Sequence, residues 1–112
     1  MNDNKSILFG DMLRGYTDKI ILSTIENEDL YGYRINKILE LKTNQTFYLN
    51  EATLYTTFQR LEKAGYITSY WSHGDSLPKK KYYSITKDGI QYLNQSKKEW
   101  HRTRDIIDLF LS

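Results

Sequence analysis

The chain has 112 residues, the size of one domain, with 39% apolar residues and a formal net charge of only +2 from 16 basic and 14 acidic side chains. It contains no cysteine, which excludes disulfides and thiolate metal sites, and its two histidines stand in no metal-binding spacing. No run of about 18 apolar residues and no signal peptide is visible, so we expect a cytoplasmic protein without a membrane partner. The balanced charge does not by itself indicate that the chain binds nucleic acid. The positions of the charged residues along the chain are more informative.

The first part of the chain is predicted to be helical. After an arm of about nine residues, apolar residues recur every three or four positions from Gly10 to about Asn27 and again from Tyr31 to about Leu41. The acidic segment ENED separates these two helices, and KTNQT indicates a loop after the second. The following FYL could form a short extended piece.

The third predicted helix, from Glu51 to Ala64, has the clearest ends. Asn50 is a good N-cap, and Gly65 is a good C-cap. An apolar stripe at i, i+4 and i+7 is predicted to face the core: Leu54, Phe58 and Leu61.

The spacing of apolar residues then changes to two, which is typical of strands. The segments YITSYWS and KYYSIT both alternate in this way, and the turn-forming residues of HGDSLPKK separate them. This pattern predicts a two-stranded hairpin. Thr86 then caps a last helix that runs close to the C-terminus.

The predicted order of elements is therefore helix, helix, helix, strand, strand, helix. This order predicts an α+β, mainly α fold: a winged helix-turn-helix domain with three helices and a two-stranded β-hairpin wing, plus a C-terminal dimerisation helix. We expect residues 1–86 to form the DNA-binding domain with its N-terminal arm and helix, and residues 87–112 to form the dimerisation helix.

The outward face of the third helix is polar and poor in acidic residues. Its outward residues and their flanks are Ala52, Tyr55, Thr56, Gln59 and Lys63, with Thr53 and Arg60. The second helix of a helix-turn-helix motif enters the major groove, where Gln suits adenine, Thr and Ala meet the thymine methyl, and Arg or Lys bind guanine or phosphate. The face therefore suits base reading, and an ordinary solvated surface is the alternative.

Three consecutive lysines, Lys79, Lys80 and Lys81, lie at the tip and return strand of the predicted hairpin. On a projecting turn they would contact phosphates and position the protein without reading sequence. A solvated charge run is the alternative explanation. Because the helix and the lysine hairpin follow each other in the order of a winged domain, together they favour DNA binding.

The segments LYGYRI, NEATLYTTFQRLEKAGYI and KKKYYSITKDG, with a closing helix that contains EW, resemble the PadR-like transcriptional regulators. The resemblance runs from about Met12 to Ile107, and the chain length is similar to that of the short members with one C-terminal dimerisation helix, which include multidrug-sensing repressors. It implies a homodimer that binds a palindromic operator, usually as a repressor. It also implies that Tyr33, Lys37, the outward face from Asn50 to Lys63 and the wing lysines contact DNA.

The last helix carries apolar residues at spacings of three, four and seven: Ile90, Leu93, Trp100, Ile107 and Leu111. A small winged domain cannot bury a stripe along so long a helix, so the helix is predicted to pair with a second copy of the chain.

A polar gap at Ser96 and Lys97 interrupts this stripe next to Trp100. Short PadR-like members bind flat hydrophobic compounds in a central pore walled by the first and last helices, where a tryptophan stacks on the ligand. The resemblance thus implies a planar aromatic effector and these ligand-binding residues: Met12, Gly15, Lys19, Leu93, Ser96, Lys97 and Trp100. If the charged residues of the two helices face inward, an anionic aromatic or no ligand is expected: Asp18, Lys19, Lys97 and Arg104. The alternatives are that Trp100 packs against its symmetry mate and that the regulator binds no ligand.

No catalytic pattern is visible, because the chain lacks a cysteine nucleophile, a paired acidic constellation and a phosphate-binding glycine loop. We expect neither enzymatic activity nor a metal or cofactor. The second class that the sequence allows is a winged-helix adapter that binds proteins without specific DNA binding. Strong salt dependence of duplex binding would separate the two classes.

Overall fold

The computed structural model describes residues 13–72 and 78–112. Its elements are a 3-10 turn (Arg14–Tyr16), α1 (Thr17–Thr24), β1 (Leu30–Tyr31), α2 (Gly32–Lys42), α3 (Glu51–Lys63), β2 (Ile67–Trp71), β3 (Lys81–Ile85) and α4 (Lys87–Leu111). This order confirms the predicted mainly helical α+β fold with a winged helix-turn-helix arrangement. The predicted arm, Met12 and most of the hairpin loop lie outside the described residues. Within the described ranges, no helix is both long and apolar enough to cross a bilayer.

The first predicted helix is interrupted and ends early. A 3-10 turn at Arg14–Tyr16 precedes α1, and α1 ends at Thr24 rather than near Asn27; residues 10–12 of the predicted helix lie outside the described residues. The hydroxyl groups of Ser23 and Thr24 donate hydrogen bonds to the carbonyls of Ile20 and Ile21, at 2.5 and 2.6 Å. Such local side-chain bonds compete with the continuing helical ladder, which accounts for the early end.

The ends of α3 are set by its own residues, as predicted. The Asn50 side chain accepts a hydrogen bond of 2.8 Å from the backbone N–H of Thr53. Gly65, just beyond the helix, has a φ of +82°, a conformation that favours glycine. The predicted stripe is buried: Leu54, Phe58 and Leu61. Thr57 is buried beside this stripe. Its hydroxyl donates a hydrogen bond of 2.8 Å to the Thr53 carbonyl, so this buried polar group is paired.

The loop before α3 is fixed to α2 by side chains. The Asn36 amide donates to the Leu49 carbonyl at 2.7 Å, and its Oδ1 accepts from the Leu49 backbone N–H at 2.8 Å. The Thr43 hydroxyl accepts from the Phe47 backbone N–H at 2.9 Å. Residues 47–49 therefore belong to no strand, and these bonds fix how α3 follows α2.

A short strand joins the predicted hairpin. The three-stranded antiparallel sheet has the order β1-β3-β2, with Leu30 opposite Tyr83 and Tyr31 opposite Tyr82. The sequence predicted β2 and β3 but not β1, because a strand of two residues shows no alternation. Since β1 runs directly into α2, it connects the wing to the start of the helix-turn-helix motif.

The core lies where α1, α2, α3 and the sheet meet. Phe58 of α3 stacks on Tyr83 of β3 with ring centroids 3.9 Å apart. Burial, and to a smaller extent the Glu62 carboxylate, raise the pKa of the Tyr83 hydroxyl to about 12. This tyrosine therefore stays neutral at physiological pH and serves as a core residue between α3 and the wing.

It is mainly the first half of α4 that packs on the winged domain. The Thr86 hydroxyl accepts from the Gly89 backbone N–H at 3.0 Å, which confirms the predicted cap. Leu93 is buried in the core, and Tyr92 stacks on Tyr66 with centroids 4.4 Å apart. From residue 97 to the end, every residue except Thr103 is exposed in the single chain.

Candidate nucleic-acid interface

The predicted reading face of α3 is exposed along its length. All seven residues predicted on that face and its flanks are exposed: Ala52, Thr53, Tyr55, Thr56, Gln59, Arg60 and Lys63. Asn50 is also exposed, but its side-chain oxygen is used in the helix cap. Opposite this face, the buried stripe fixes the rotation of α3 about its axis, so the polar residues cannot turn inward without exposing Phe58 and Leu61.

A cleft of about 910 Å³ lies between α2, α3 and the wing. Tyr33 and Lys37 line it from α2, Tyr55 lines it from α3, and residues 79–81 line it from the wing. The structure thus brings together three groups of residues that are separated in the sequence. The start of α3 and the wing lie on opposite sides of this cleft, which is open to solvent.

The charge of this cleft is mainly positive. Lys37 Nζ lies 3.0 Å from Glu40 Oε1, and this hydrogen bond raises the pKa of Lys37. Among the described residues, no ion pair includes a wing lysine. Lys80 Nζ instead lies 4.4 Å from the ring centroid of Tyr31, which holds the cation at the cleft. Within the described residues, the three wing lysines are therefore available to pair with an anionic partner.

Trp71 lines the same cleft, although sequence analysis did not select it. It ends β2 opposite Lys81 and is 54% exposed. The alternation of β2 places Trp71 on the same face as Ile67, which is buried, so this pattern gives no sign that Trp71 is exposed. The pairing with a wing lysine, which depends on the register between strands, was the signal that could have identified it.

Arg60 leaves the reading face and contacts α1. Its Nε donates to Asp18 Oδ2 at 3.1 Å, and its Nη2 donates to Oδ1 of the same carboxylate. The hydrogen bond to Asp18 raises the pKa of Arg60, so the guanidinium stays charged. Sequence periodicity placed Arg60 correctly on the flank but gave no sign of this partner.

A second, smaller recess of about 270 Å³ lies between the 3-10 turn, α1 and α4. Its lining includes four residues predicted to bind a ligand: Gly15, Lys19, Ser96 and Trp100. Tyr16 packs edge-on against Trp100 with ring centroids 5.6 Å apart. Two other predicted ligand residues lie elsewhere: Leu93 is in the core of its own chain, and Lys97 Nζ pairs with Glu26 at 2.9 Å. Met12 lies outside the described residues.

The residues predicted for dimerisation divide into two groups. Four of them are 39–81% exposed in the single chain: Ile90, Trp100, Ile107 and Leu111. Leu93 is only 2% exposed because it packs into the winged domain. Ile106, Leu109 and Phe110 add further apolar surface near the end of α4, each at least 48% exposed. An apolar surface of this size at the end of one helix marks an interaction site.

Fold and site together describe a winged helix-turn-helix protein with a basic, aromatic cleft beside its exposed third helix. The model of the transcriptional regulator PadR-like family matches residues 21–95. The chain therefore belongs to the PadR-like family of transcriptional regulators, and it is not an enzyme.

Three individual proteins are similar to this chain. An uncharacterised protein from Lysinibacillus sphaericus is 46% identical over 101 residues, which span 90% of this chain and 93% of that protein. The structure of a transcriptional regulator from Clostridium thermocellum is 44% identical, with a TM-score of 0.82 over 91% of this chain and 99% of that chain. PadR from Bacillus subtilis, solved in complex with operator DNA, is similar in fold, with 24% identity and a TM-score of 0.61 over 70% of this chain and 44% of that chain.

Proposed function

We propose that this PadR-like regulator acts in the cytoplasm as a homodimeric repressor that binds palindromic operator DNA. The observation that carries the proposal is the cleft: the exposed face of α3, the start of α2 and the wing lysines surround one basic space. A duplex that receives α3 in its major groove would pass one phosphate backbone through this cleft. The PadR protein of Bacillus subtilis, with the same fold, was solved with operator DNA.

The bases would be read by the outward residues of α3. Gln59 offers the paired donor and acceptor that match an adenine edge, while Ala52 and Thr56 are small enough to approach thymine methyl groups. The Thr56 hydroxyl already donates to the Ala52 carbonyl at 2.8 Å, so its methyl group is the part presented outward in this rotamer. Lys63, in the last turn, would reach guanine or phosphate.

The phosphates would be held by the walls of the cleft. Lys79, Lys80 and Lys81 supply charge from the wing, and Tyr33 and Lys37 supply a hydroxyl and a cation from α2. These contacts orient the protein without reading sequence, and each one adds to the salt dependence of binding.

Dimerisation would use the exposed part of α4. We assign residues 1–86 to the DNA-binding domain and residues 87–112 to the dimerisation helix, whose apolar end pairs with a second copy. A two-fold axis through this pair presents two α3 helices to half-sites about 34 Å apart, one turn of the duplex.

An effector would bind between the two chains. The recess beside Trp100 is open on one side, and a second copy placed against α4 would close it into a pore that suits a planar aromatic compound. Lys19 Nζ at its wall lies 5.7 Å from the Tyr16 ring and favours an anionic substituent. A planar aromatic dye is expected to quench Trp100 emission in the wild type and not to quench the remaining emission of Trp100→Ala. Equal quenching in both proteins would contradict the pore site.

Replacing Lys80 by alanine is expected to weaken operator binding and to lower the slope of log affinity against log salt by about one per chain. The reason is the loss of one uncompensated charge beside the cleft in each half-site. Fluorescence anisotropy at several salt concentrations measures the slope. Lys98→Ala, which removes an exposed lysine of α4 outside the cleft, is the matched control and should leave the slope unchanged. Equal slopes for Lys80→Ala and the wild type, or binding that ignores salt, would favour the protein-interaction adapter.

Trp71→Ala is expected to lower operator affinity about tenfold without changing the salt slope, because an uncharged aromatic contact is lost. A direct readout comes from a Trp100→Phe variant, in which Trp71 is the remaining tryptophan. Its emission should change on adding operator DNA. Unchanged emission in a variant that still binds would remove Trp71 from the interface.

A further inference from the structure

The link between Arg60 and Asp18 joins two elements that are 42 residues apart in the sequence. Arg60 lies in the third turn of α3, and Asp18 lies in the first turn of α1. The guanidinium uses both Nε and Nη2 on the two oxygens of one carboxylate, and Nη2 also lies 3.5 Å from the Thr57 hydroxyl. Such a fork fixes orientation as well as distance, which a single lysine contact cannot do.

This geometry limits what Arg60 can do for DNA. Its donors toward α1 are occupied, and its charge is compensated by a carboxylate at contact distance. The side chains are 53% and 25% exposed, so the pair lies at the protein surface beside the reading face. An arginine binds phosphate best with the Nε–Nη2 fork facing the phosphate, whereas in Arg60 this edge faces Asp18.

We propose that Arg60 is a positioning residue that ties α3 to α1 through Asp18 and sets the angle at which α3 meets DNA, rather than a residue that contacts DNA. The inference rests on the proposed function, because it assumes that α3 is the reading helix. The flank of α3 thus combines reading residues with one residue that holds the helix in place.

The same pair connects the reading helix to the recess. Asp18 is followed in α1 by Lys19, whose side chain lines the recess with Trp100. Lys19 Nζ also lies 5.8 Å from the ring of Tyr92, on the part of α4 that packs on the domain. Consecutive residues of α1 therefore line the recess and contact α3, so a compound that displaced α1 would also act on α3.

Exchange of the two charges tests the proposal. Arg60→Asp alone and Asp18→Arg alone each place like charges together and should lower operator affinity at least about tenfold. The double variant D18R/R60D restores an ion pair with the opposite sense and should bind within about threefold of the wild type, with the wild-type salt slope. If Arg60 contacts phosphate instead, the double variant carries a repelling carboxylate and binds no better than Arg60→Asp, which overturns the inference.

A conservative variant covers the case in which a single charge exchange prevents folding, as judged by circular dichroism. Arg60→Lys keeps the charge but loses the fork, so affinity should fall about threefold to tenfold while the salt slope stays that of the wild type. Unchanged affinity in Arg60→Lys would overturn the positioning role. A wild-type protein that binds no duplex at low salt would overturn the proposed function itself, and the inference with it; wild-type binding without rescue overturns the inference alone.

Discussion

Replacing Ile107 and Leu111 together by aspartate is expected to produce a monomer whose operator affinity is at least about 100-fold lower than that of the wild type. Both side chains are exposed in the single chain, at 45% and 81%, and lie one helical turn apart near the end of α4. In the proposed dimer they would be buried, and two unpaired carboxylates in an apolar contact cost far more than the contact gains. Each monomer would then reach only one half-site.

Sedimentation velocity measures the change of mass, and anisotropy titration measures the change of affinity. The matched control is Gln91→Asp with Gln95→Asp, which adds the same charge at the same spacing on exposed positions of α4. This control should remain a dimer. A dimer that persists in the Ile107 and Leu111 variant would show that the exposed end of α4 is not the interface.

Gly89→Ala is expected to destabilise the winged domain by roughly 3 kcal/mol or more, which lowers the melting temperature by more than about 10 °C. A Cβ at this position would lie 2.2 Å from the Tyr66 carbonyl oxygen and 2.8 Å from Ile85 Cγ1. The Tyr66 oxygen belongs to the backbone and accepts a 3.0 Å hydrogen bond from Thr86, so it cannot move away without loss. The first turn of α4 would be displaced from the sheet.

Thermal unfolding followed by circular dichroism tests this expectation. Gly15→Ala is the control, because a Cβ at Gly15 would meet no atom of residues 13–72 or 78–112 within 4 Å. Its melting temperature should stay within about 3 °C of the wild type. A Gly89→Ala protein as stable as Gly15→Ala would mean that α4 does not pack as closely on Tyr66 as the structure indicates.

The features predicted correctly from sequence depend on local signals. Asn50 and Gly65 bound α3 through their own backbone preferences, and the spacing of Leu54, Phe58 and Leu61 records which side faces the core. The hairpin is likewise predicted by the alternation of side chains between two faces on both sides of a turn. These elements carry the outward face of α3 and the wing, so the position of the proposed DNA-binding surface could be predicted from the sequence.

The features that sequence reasoning missed are contacts between distant segments. Strand β1 exists because it pairs with β3, more than fifty residues away, and its two residues form no pattern of their own. The apolar spacing along α4 indicates that Leu93 is buried. It does not indicate that Leu93 packs into the winged domain of its own chain rather than against a second copy. The Asp18 partner of Arg60 is likewise invisible to periodicity. Each of these depends on how elements pack, which neither spacing nor propensity specifies.

We propose that two copies of this chain bind one duplex through α3 and a basic wing. The most direct test is a titration of the protein with a palindromic duplex selected from random sequence, with the mass of the complex measured by sedimentation. We predict two chains per duplex and an affinity that falls roughly 10,000-fold between 50 and 200 mM salt, as expected for about eight lysine–phosphate contacts. A complex with one chain per duplex, or an affinity that does not change with salt, would contradict the account.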